Sequence, residues 1–455
     1  MTCKNTSRLV AIETLHLLQR DNTPLPLLLE HISNQHNLSD IDRSFAMNLT
    51  YGVLRHYQYL ELLMTQLCKP SLKKLHPLVL QGLAVGLYQI FFLDRVPNSA
   101  AVNETVSAIK KAKVPQRLHG FVNGVLRQSI RQMHELPPPG TLQHNGQLIL
   151  NHPDWLTTRW SRFFGVKEME SICAANSIRQ PLTLRINTTK IPRQDYNALL
   201  EEKDIKAIPG NFAPNALLLP DFSGSIPTLP GYQEGLFQIQ GEAAQLATLL
   251  LSPWKKKGYY LDGCAGLGGK TGHLLELLSP SEAHLCAVEP EIHRQKKLLD
   301  NLTPFHHLEN FSLFKGNLQQ FHSQSRQLFD GILIDAPCSG TGITGRHPDI
   351  RWRRSLEDIK RYSEVQYELL QIAAKMVAPG GVLVYATCSL EQEENRDTVV
   401  SFLQSHNDFR ITDCTPYLPE SAAPLIRNGC FQPLPSQGID GFFAARLVAS
   451  NTNAY

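Results

Sequence analysis

The stretch YYLDGCAGLGGKTGHLLELL, residues 259–278, decides the architecture. Tyr259-Tyr260-Leu261-Asp262 is short, apolar and strand-like, a glycine-rich run follows, and the apolar segment through Leu278 reads as a helix. The alternation continues downstream. HLCAVE (284–289), GILID (331–335) and GVLVYA (381–386) are further short apolar strands separated by helical lengths of chain. This pattern predicts an α/β domain over residues 236–450 with a mostly parallel, doubly wound sheet, whose ligands gather at the carboxyl ends of the strands.

The turn itself, Gly263-Cys264-Ala265-Gly266-Leu267-Gly268-Gly269-Lys270-Thr271, is built for close backbone approach to a ligand at a helix N-terminus. Three cofactor classes use such a turn. A phosphate-binding loop, GxxxxGK[ST], would need its first glycine where Cys264 stands. A dinucleotide turn, GxGxxG, begun at Gly266 fails at Thr271. A nucleoside cofactor without a pyrophosphate, such as S-adenosyl-L-methionine, needs only the close approach and an acid for the ribose. Glu289 ends the second strand at the offset expected for that acid.

Two cysteines leave strands on the ligand side: Cys338 in Asp335-Ala336-Pro337-Cys338-Ser339-Gly340 and Cys388 in Thr387-Cys388-Ser389. A single cysteine is most simply inert core. Two at one end of one sheet point instead to thiol chemistry. Methylation of carbon 5 of a pyrimidine requires it, because that carbon is not nucleophilic until a thiolate has added at carbon 6. A second group must then remove the C5 proton and let the thiolate leave.

Outward from this core the chain has 455 residues, 42% hydrophobic and 19% charged, a globular composition with room for several domains. The nine cysteines show no CxxC pair and no zinc-ligand spacing, so no metal is expected and the thiols should be reduced. No apolar run reaches membrane-spanning length, and MTCKNTSRLV (1–10) lacks an export signal, so a soluble cytoplasmic protein is expected. Residues 1–135 carry 15 Lys/Arg against 9 Asp/Glu within a net charge of +3 overall, a basic head on a mildly acidic body. This head reads as helices only. Leu9, Ile12 and Leu15 mark one stripe, and Ile41, Phe45, Leu49 and Val53 another behind the caps Ser39 and Asp40. Leu78–Leu93 should be the buried central helix. Pro-Pro-Pro-Gly at 137–140 reads as a linker. A helical piece follows, then PLTLRIN (181–187) as a strand of a small α+β subdomain that shows no chemistry of its own. The expected organisation is 1–136 basic helical domain, 137–180 linker and connecting helices, 181–235 small α+β subdomain, and 236–450 α/β domain.

These segments resemble the RNA cytosine-C5 methyltransferases. The resemblance is carried by DAPCSGTGITGRHPDIRW (335–352), YATCSLEQEEN (385–395), GGKT (268–271) and DGFFAARL (440–447). VPNSAAVNETVSAIKK (96–111) and FVNGVLRQ (121–128) resemble a NusB-like RNA-binding helical domain, as in the branch of the family that acts on bacterial 16S rRNA. NHPDWL (151–156) and PLTLRIN look like that branch's linker and middle domain, so nearly the whole chain is covered.

The resemblance implies a Rossmann-like methyltransferase domain, with Cys388 as the nucleophile at C6 and Cys338 assisting release of the methylated base. Asp335, near Lys270, would hydrogen-bond the cytosine ring. Binding of S-adenosyl-L-methionine would fall to Cys264, Ala265, Gly266, Leu267, Gly268, Gly269, Lys270, Glu289, Asn317 and Asp335. Two positions depart from the family pattern: Gly266-Leu267 where Ala-Pro is usual, and Asn317 where an acid is usual.

The expected partner is small-subunit rRNA, naked or in an early assembly intermediate, bound by a monomer with no membrane involved. A base inside a stack cannot reach a thiolate, so the target cytosine should be unpaired or flipped out. Lys110, Lys111, Lys113, Arg117, Arg127 and Arg131 form one candidate phosphate-contacting cluster. Arg346, Arg351, Arg353, Arg354, Lys360 and Arg361 form another. Two other readings compete: a nucleotide-hydrolysing RNA-remodelling enzyme, from the near-miss phosphate loop, and a non-catalytic RNA-binding ribosome-assembly factor, from the basic head.

Overall fold

The computed structural model describes residues 6–21, 23–279, 281–304 and 309–451. The opening MTCKN, part of the stretch read above for an export signal, lies outside them. By the density of internal contacts the chain divides into two compact units. One is Met1–Ile178 together with His347–Trp352; the other is Arg179–Arg346 together with Arg353–Tyr455.

The first unit is helical, with a small hairpin of β1 (Gln143–His144) and β2 (Gln147–Leu148). Its central helix, Pro77–Phe92, is buried along most of its length. The two glycines that interrupt its apolar run explain the tight packing. A Cβ on Gly82 would meet Ile109 at 2.5 Å, and one on Gly86 would meet Leu126 at 2.7 Å, so helices Asn98–Lys111 and Arg117–Arg131 close directly onto its backbone. Buried Gln89 is satisfied by Arg8 Nε at 2.8 Å and by the Val85 carbonyl at 2.9 Å. Helix Asp40–Arg55 is capped by Ser39, which accepts from Asp42 N–H. Ile41 departs from the expected stripe. It lies in the first turn, beyond the reach of the core, and is 84% exposed, whereas Leu49 and Val53 are buried.

The Pro-Pro-Pro-Gly stretch is packed rather than a free tether. Tyr59 Oη donates to the Pro137 carbonyl at 2.8 Å, and Ile149 joins the helical core. Residues 347–352, although they follow the Pro-Cys segment in sequence, pack with this unit. Arg351 is 0% exposed and donates to the carbonyls of Asn151 (3.0 Å) and Asn176 (2.9 Å). Trp352 Nε1 donates to the Leu54 carbonyl at 2.7 Å, with its ring tilted against Tyr57. Arg351 is therefore a structural cation, not an RNA contact, and its burial lowers the guanidinium pKa to about 9. His347 begins this packed segment.

The second unit holds two sheets. The smaller is antiparallel, in the order β4 (Ile208–Pro209), β5 (Ala216–Leu219), β3 (Leu182–Ile186), β6 (Phe237–Ile239). Helix Arg193–Glu201 packs on it through Tyr196 and Leu200. The larger sheet comprises β7 (Tyr259–Asp262), β8 (His284–Val288), β9 (Phe311–Phe314), β10 (Phe329–Asp335), β11 (Val377–Thr387), β12 (Phe409–Thr412), β13 (Ile426–Arg427), β14 (Cys430–Phe431) and β15 (Phe443–Ala449). Its order is β13-β14-β15-β11-β10-β7-β8-β9, with β12 also on β15. Strands β11 through β9 in that order are parallel, as expected. β15 pairs antiparallel with β11 and carries β14 and β12 beyond it.

Alternate residues of the central strands enter opposite cores. Tyr260, Leu333, Val384 and Ala386 lie on one side, and Leu261, Ile332, Ile334 and Tyr385 on the other, so the sheet is covered on both faces. Among the described residues no helix is long and apolar enough to cross a membrane.

Candidate active site

Register sets the site. Asp335, the last residue of β10, pairs with Ala386 of β11, so the chain segments that leave the two strands start side by side. They bring Cys338 Sγ to 3.3 Å from Cys388 Sγ, with both side chains half-buried. Gly342 closes the Pro-Cys loop against the other one. Its N–H donates to the Cys388 carbonyl at 3.0 Å, and a Cβ there would lie 2.3 Å from the Gly441 carbonyl oxygen.

The Cys338 thiol is pushed well up, chiefly by its hydrogen bond with Cys388 and then by burial and the negative charges nearby. It is therefore held protonated, and either sulfur can donate in the hydrogen bond the two share.

Lys270 Nζ donates to Asp335 Oδ2 at 2.6 Å and lies 5.2 Å from the Phe442 ring centroid. Burial alone would lower its pKa, but Asp335 outweighs that, with Cys388 and Asp262 contributing, and the net direction is up. Lys270 thus stays charged at neutral pH beside the thiols.

The turn from Gly263 to Gly269 follows β7. Gly268 caps helix Gly269–Leu278 at φ 85°, and Gly266 sits at φ 57° with nothing within 4 Å of a would-be Cβ. The Gly266 departure from the family pattern accordingly has a backbone reason: an alanine in this conformation would cost about 1 kcal/mol or more. Gly269 also borders open space, and Leu267 is exposed. Asp262, Asp335 and Glu289 all raise the pKa of Cys264, whose largest perturbation is burial, so three carboxylates surround the turn.

That charge suits a sulfonium cation and repels a polyphosphate. Two further contacts remove the phosphate-loop reading. Lys270 is committed to Asp335, and Thr271, whose hydroxyl would hold magnesium in such a loop, is fully buried and donates to Asp262 at 2.7 Å. Burial raises Asp262 itself to about 6. The residues present therefore fit S-adenosyl-L-methionine: backbone open to close approach, a negative surround, and Glu289 buried at the end of β8.

Asn317 stands after β9, where it N-caps helix Leu318–Gln324. Its Oδ1 accepts from Gln320 N–H at 2.8 Å, and Gln320 Oε1 accepts from its own N–H at 2.9 Å. With that oxygen engaged, the side chain offers a ligand chiefly its N–H groups.

Two supporting residues escaped the sequence reading. Arg185, on β3 of the small sheet, is fully buried. It donates to Gly269 O at 2.9 Å, to Gln238 at 2.7 Å and to both carboxylate oxygens of Glu276 at 2.8 and 3.1 Å. The small subdomain thus does contribute to the site: it braces the first residue of the turn's helix. Glu394, fully buried, accepts from the serines that follow each thiol. Arg185 had no sequence signal beyond a charge inside an apolar strand, and Glu394 lay unremarked in YATCSLEQEEN.

Of the second arginine cluster, Arg346 is paired with Asp440 at 2.8 Å, and Arg354 donates to the Ser339 carbonyl at 2.9 Å. With Arg351 these brace the fold, and the exposed cations are Lys360 and Arg361, the latter paired with Asp358. In the first cluster Lys110, Lys113, Arg117, Arg127 and Arg131 are all exposed on or beside helices Asn98–Lys111 and Arg117–Arg131, and Lys111 is half-buried.

The family profile for 16S rRNA methyltransferase RsmB/F matches residues 248–448, that for the NusB family matches 5–131, and that for the ferredoxin-like domain of RsmF/B-like methyltransferases matches 152–223. Ribosomal RNA small subunit methyltransferase B of Proteus mirabilis is 37% identical over 388 residues, 85% of this chain and 89% of its own. The probable ribosomal RNA small subunit methyltransferase B of Bacillus subtilis is 32% identical across 98% of this chain and 99% of its own. Among solved structures, PH0851 shares the fold over 98% of this chain and 99% of its own, with TM-score 0.76 and 23% identity. A methyltransferase homologue from Pyrococcus horikoshii matches 66% of this chain and 96% of its own, with TM-score 0.56 and 27% identity.

Proposed function

The chain belongs to the RsmB/F family of 16S rRNA methyltransferases, and on that premise we propose that it methylates carbon 5 of a cytosine in small-subunit rRNA through a covalent cysteine adduct. The observation that carries this reading is the thiol pair at 3.3 Å beside the Lys270–Asp335 ion pair. Cysteine chemistry of this kind serves C5 transfer and has no part in methylating an exocyclic nitrogen.

Cys388, 3.3 Å from the Cys338 sulfur and near the Lys270 cation, is in this reading the attacking nucleophile. Its sulfur adds to C6, the C5=C6 electrons move onto C5 and the ring, and Asp335 hydrogen-bonds the ring while Lys270 balances its charge. S-adenosyl-L-methionine, held by residues 264–270, Glu289, Asn317 and Asp335, supplies an electrophilic methyl group. C5 bonds that methyl group, and loss of the C5 proton to water then restores the C5=C6 bond as the C6–S pair returns to the Cys388 sulfur, with Cys338 beside it to assist its departure. The protein acts as a cytoplasmic monomer on naked RNA or an early assembly intermediate.

Mass spectrometry of digested RNA tests the product. 5-Methylcytidine is expected; N4-methylcytidine would overturn the reading. Equilibrium binding should favour S-adenosyl-L-methionine over ATP, given the carboxylates around Cys264.

RNA engagement by the helical unit has its own expected result. Replacing Lys110, Arg117 and Arg127 by Gln should weaken RNA binding uniformly and reduce the slope of log K against log salt by about 2, at about 0.7 per single-strand phosphate contact. Titration of binding across a salt series reads this directly. An unchanged slope would place the RNA elsewhere.

A further inference from the structure

We propose that Glu394 is the positioning residue of the thiol pair: one buried carboxylate ties the loop that carries Cys338 to the loop that carries Cys388. This rests on the methyl-transfer reading above, since it assigns the device that keeps that reaction's two thiols in register.

The geometry is specific. Ser339 and Ser389 each follow one of the cysteines directly, and both hydroxyls donate to Glu394 Oε2. Ser339 N–H donates to Oε1 at 2.7 Å, and Gln366 Nε2 donates to the same oxygen at 3.1 Å. Gln366 also holds the Pro337 carbonyl at 2.9 Å, so the Pro-Cys loop is gripped on both sides of its thiol. On the other loop, Ser389 Oγ accepts from Glu391 N–H at 3.0 Å, and Asn395, next to the clamp in sequence, donates to the Ser389 carbonyl at 2.9 Å.

A fully buried carboxylate is costly unless its lone pairs are met, and here four donors meet them. Three of the four come from the residues next to the thiols. An Sγ–Sγ separation of 3.3 Å tolerates little displacement. A slip of about 1 Å in either loop would part the pair and could cost about 100-fold in rate. The charge adds a second effect: Glu394 is among the causes that hold the Cys338 thiol protonated.

The test compares the full-length protein with Glu394→Gln, which keeps the volume but turns a donor toward the serine hydroxyls. Single-turnover methyl transfer to unmodified small-subunit RNA should fall about 100-fold while the dissociation constant for S-adenosyl-L-methionine stays within about twofold. Iodoacetamide labelling of Cys338, followed across pH by peptide mass spectrometry without RNA, should show its midpoint moving down. Methyl transfer at the wild-type rate, or cofactor affinity falling in step with rate, would overturn the proposal. So would an unmoved labelling midpoint.

Should Glu394→Gln fail to fold, Ser339→Ala and Ser389→Ala each remove one arm and should each cost about 10-fold in rate. Wild-type rates in both would overturn the proposal equally. A wild-type protein that makes no 5-methylcytidine would instead defeat the methyl-transfer reading, and the RNA-free labelling arm would still decide whether the carboxylate governs the thiol pair.

Discussion

Cys388→Ala protein is expected to lose methyl transfer by at least about 10⁴-fold, because the change removes the sulfur assigned to add to C6 and activate C5. Cys338→Ala is expected to behave differently. If Cys338 assists release, its removal leaves the addition step intact and stalls the enzyme after it. With S-adenosyl-L-methionine and unmodified small-subunit RNA, that variant should accumulate a protein–RNA species stable on a denaturing gel. The species should vanish when Cys388 is also changed to Ala.

An adduct from Cys388→Ala alone would reverse the two roles. Absence of any adduct, with no methyl transfer by wild-type protein, would favour an RNA-binding assembly factor.

The largest stability effect is expected at Arg185. Replacing it with Met removes one partner of an ion pair whose side chains are 0% and 5% exposed, and leaves the Glu276 carboxylate buried without its cation. The expected cost is about 3–5 kcal/mol in urea unfolding near neutral pH. Burial already raises Glu276 despite the opposing pull of Arg185, so without the arginine its folded-state pKa moves further up.

A carboxyl raised in the folded state favours folding when protonated and loses that contribution as pH rises through the folded value. The defect of Arg185→Met should therefore shrink as pH falls through the raised Glu276 value. Arg185→Met combined with Glu276→Gln should recover part of the loss. A constant defect across pH would mean that the cost lies in the bonds to Gln238 and the Gly269 carbonyl instead.

Much of this site was legible as sequence because its parts are local. A glycine needed at φ 85° before a helix, a cysteine one residue past a strand end, and an acid at the close of the next strand all leave marks within a few residues of chain. The alternation of strand and helix likewise declared a parallel sheet, since parallel neighbours demand crossovers. The antiparallel strand Phe443–Ala449 was less visible, because nothing in its own residues says which distant strand it will join.

Charge was the least legible property. Arg185, Arg351 and Glu394 look like surface residues in the sequence, yet each is fully enclosed, because their partners arrive from 91, 175 and 55 residues away. The sequence by itself determined the kinds of chemistry present: two thiols, a lysine, an aspartate and a glycine-rich turn at strand ends. Only the tertiary structure decided which cations face solvent, how close the two thiols come, and what holds the pair together. Those depend on desolvation and on donor–acceptor distances, and neither exists until remote segments have packed.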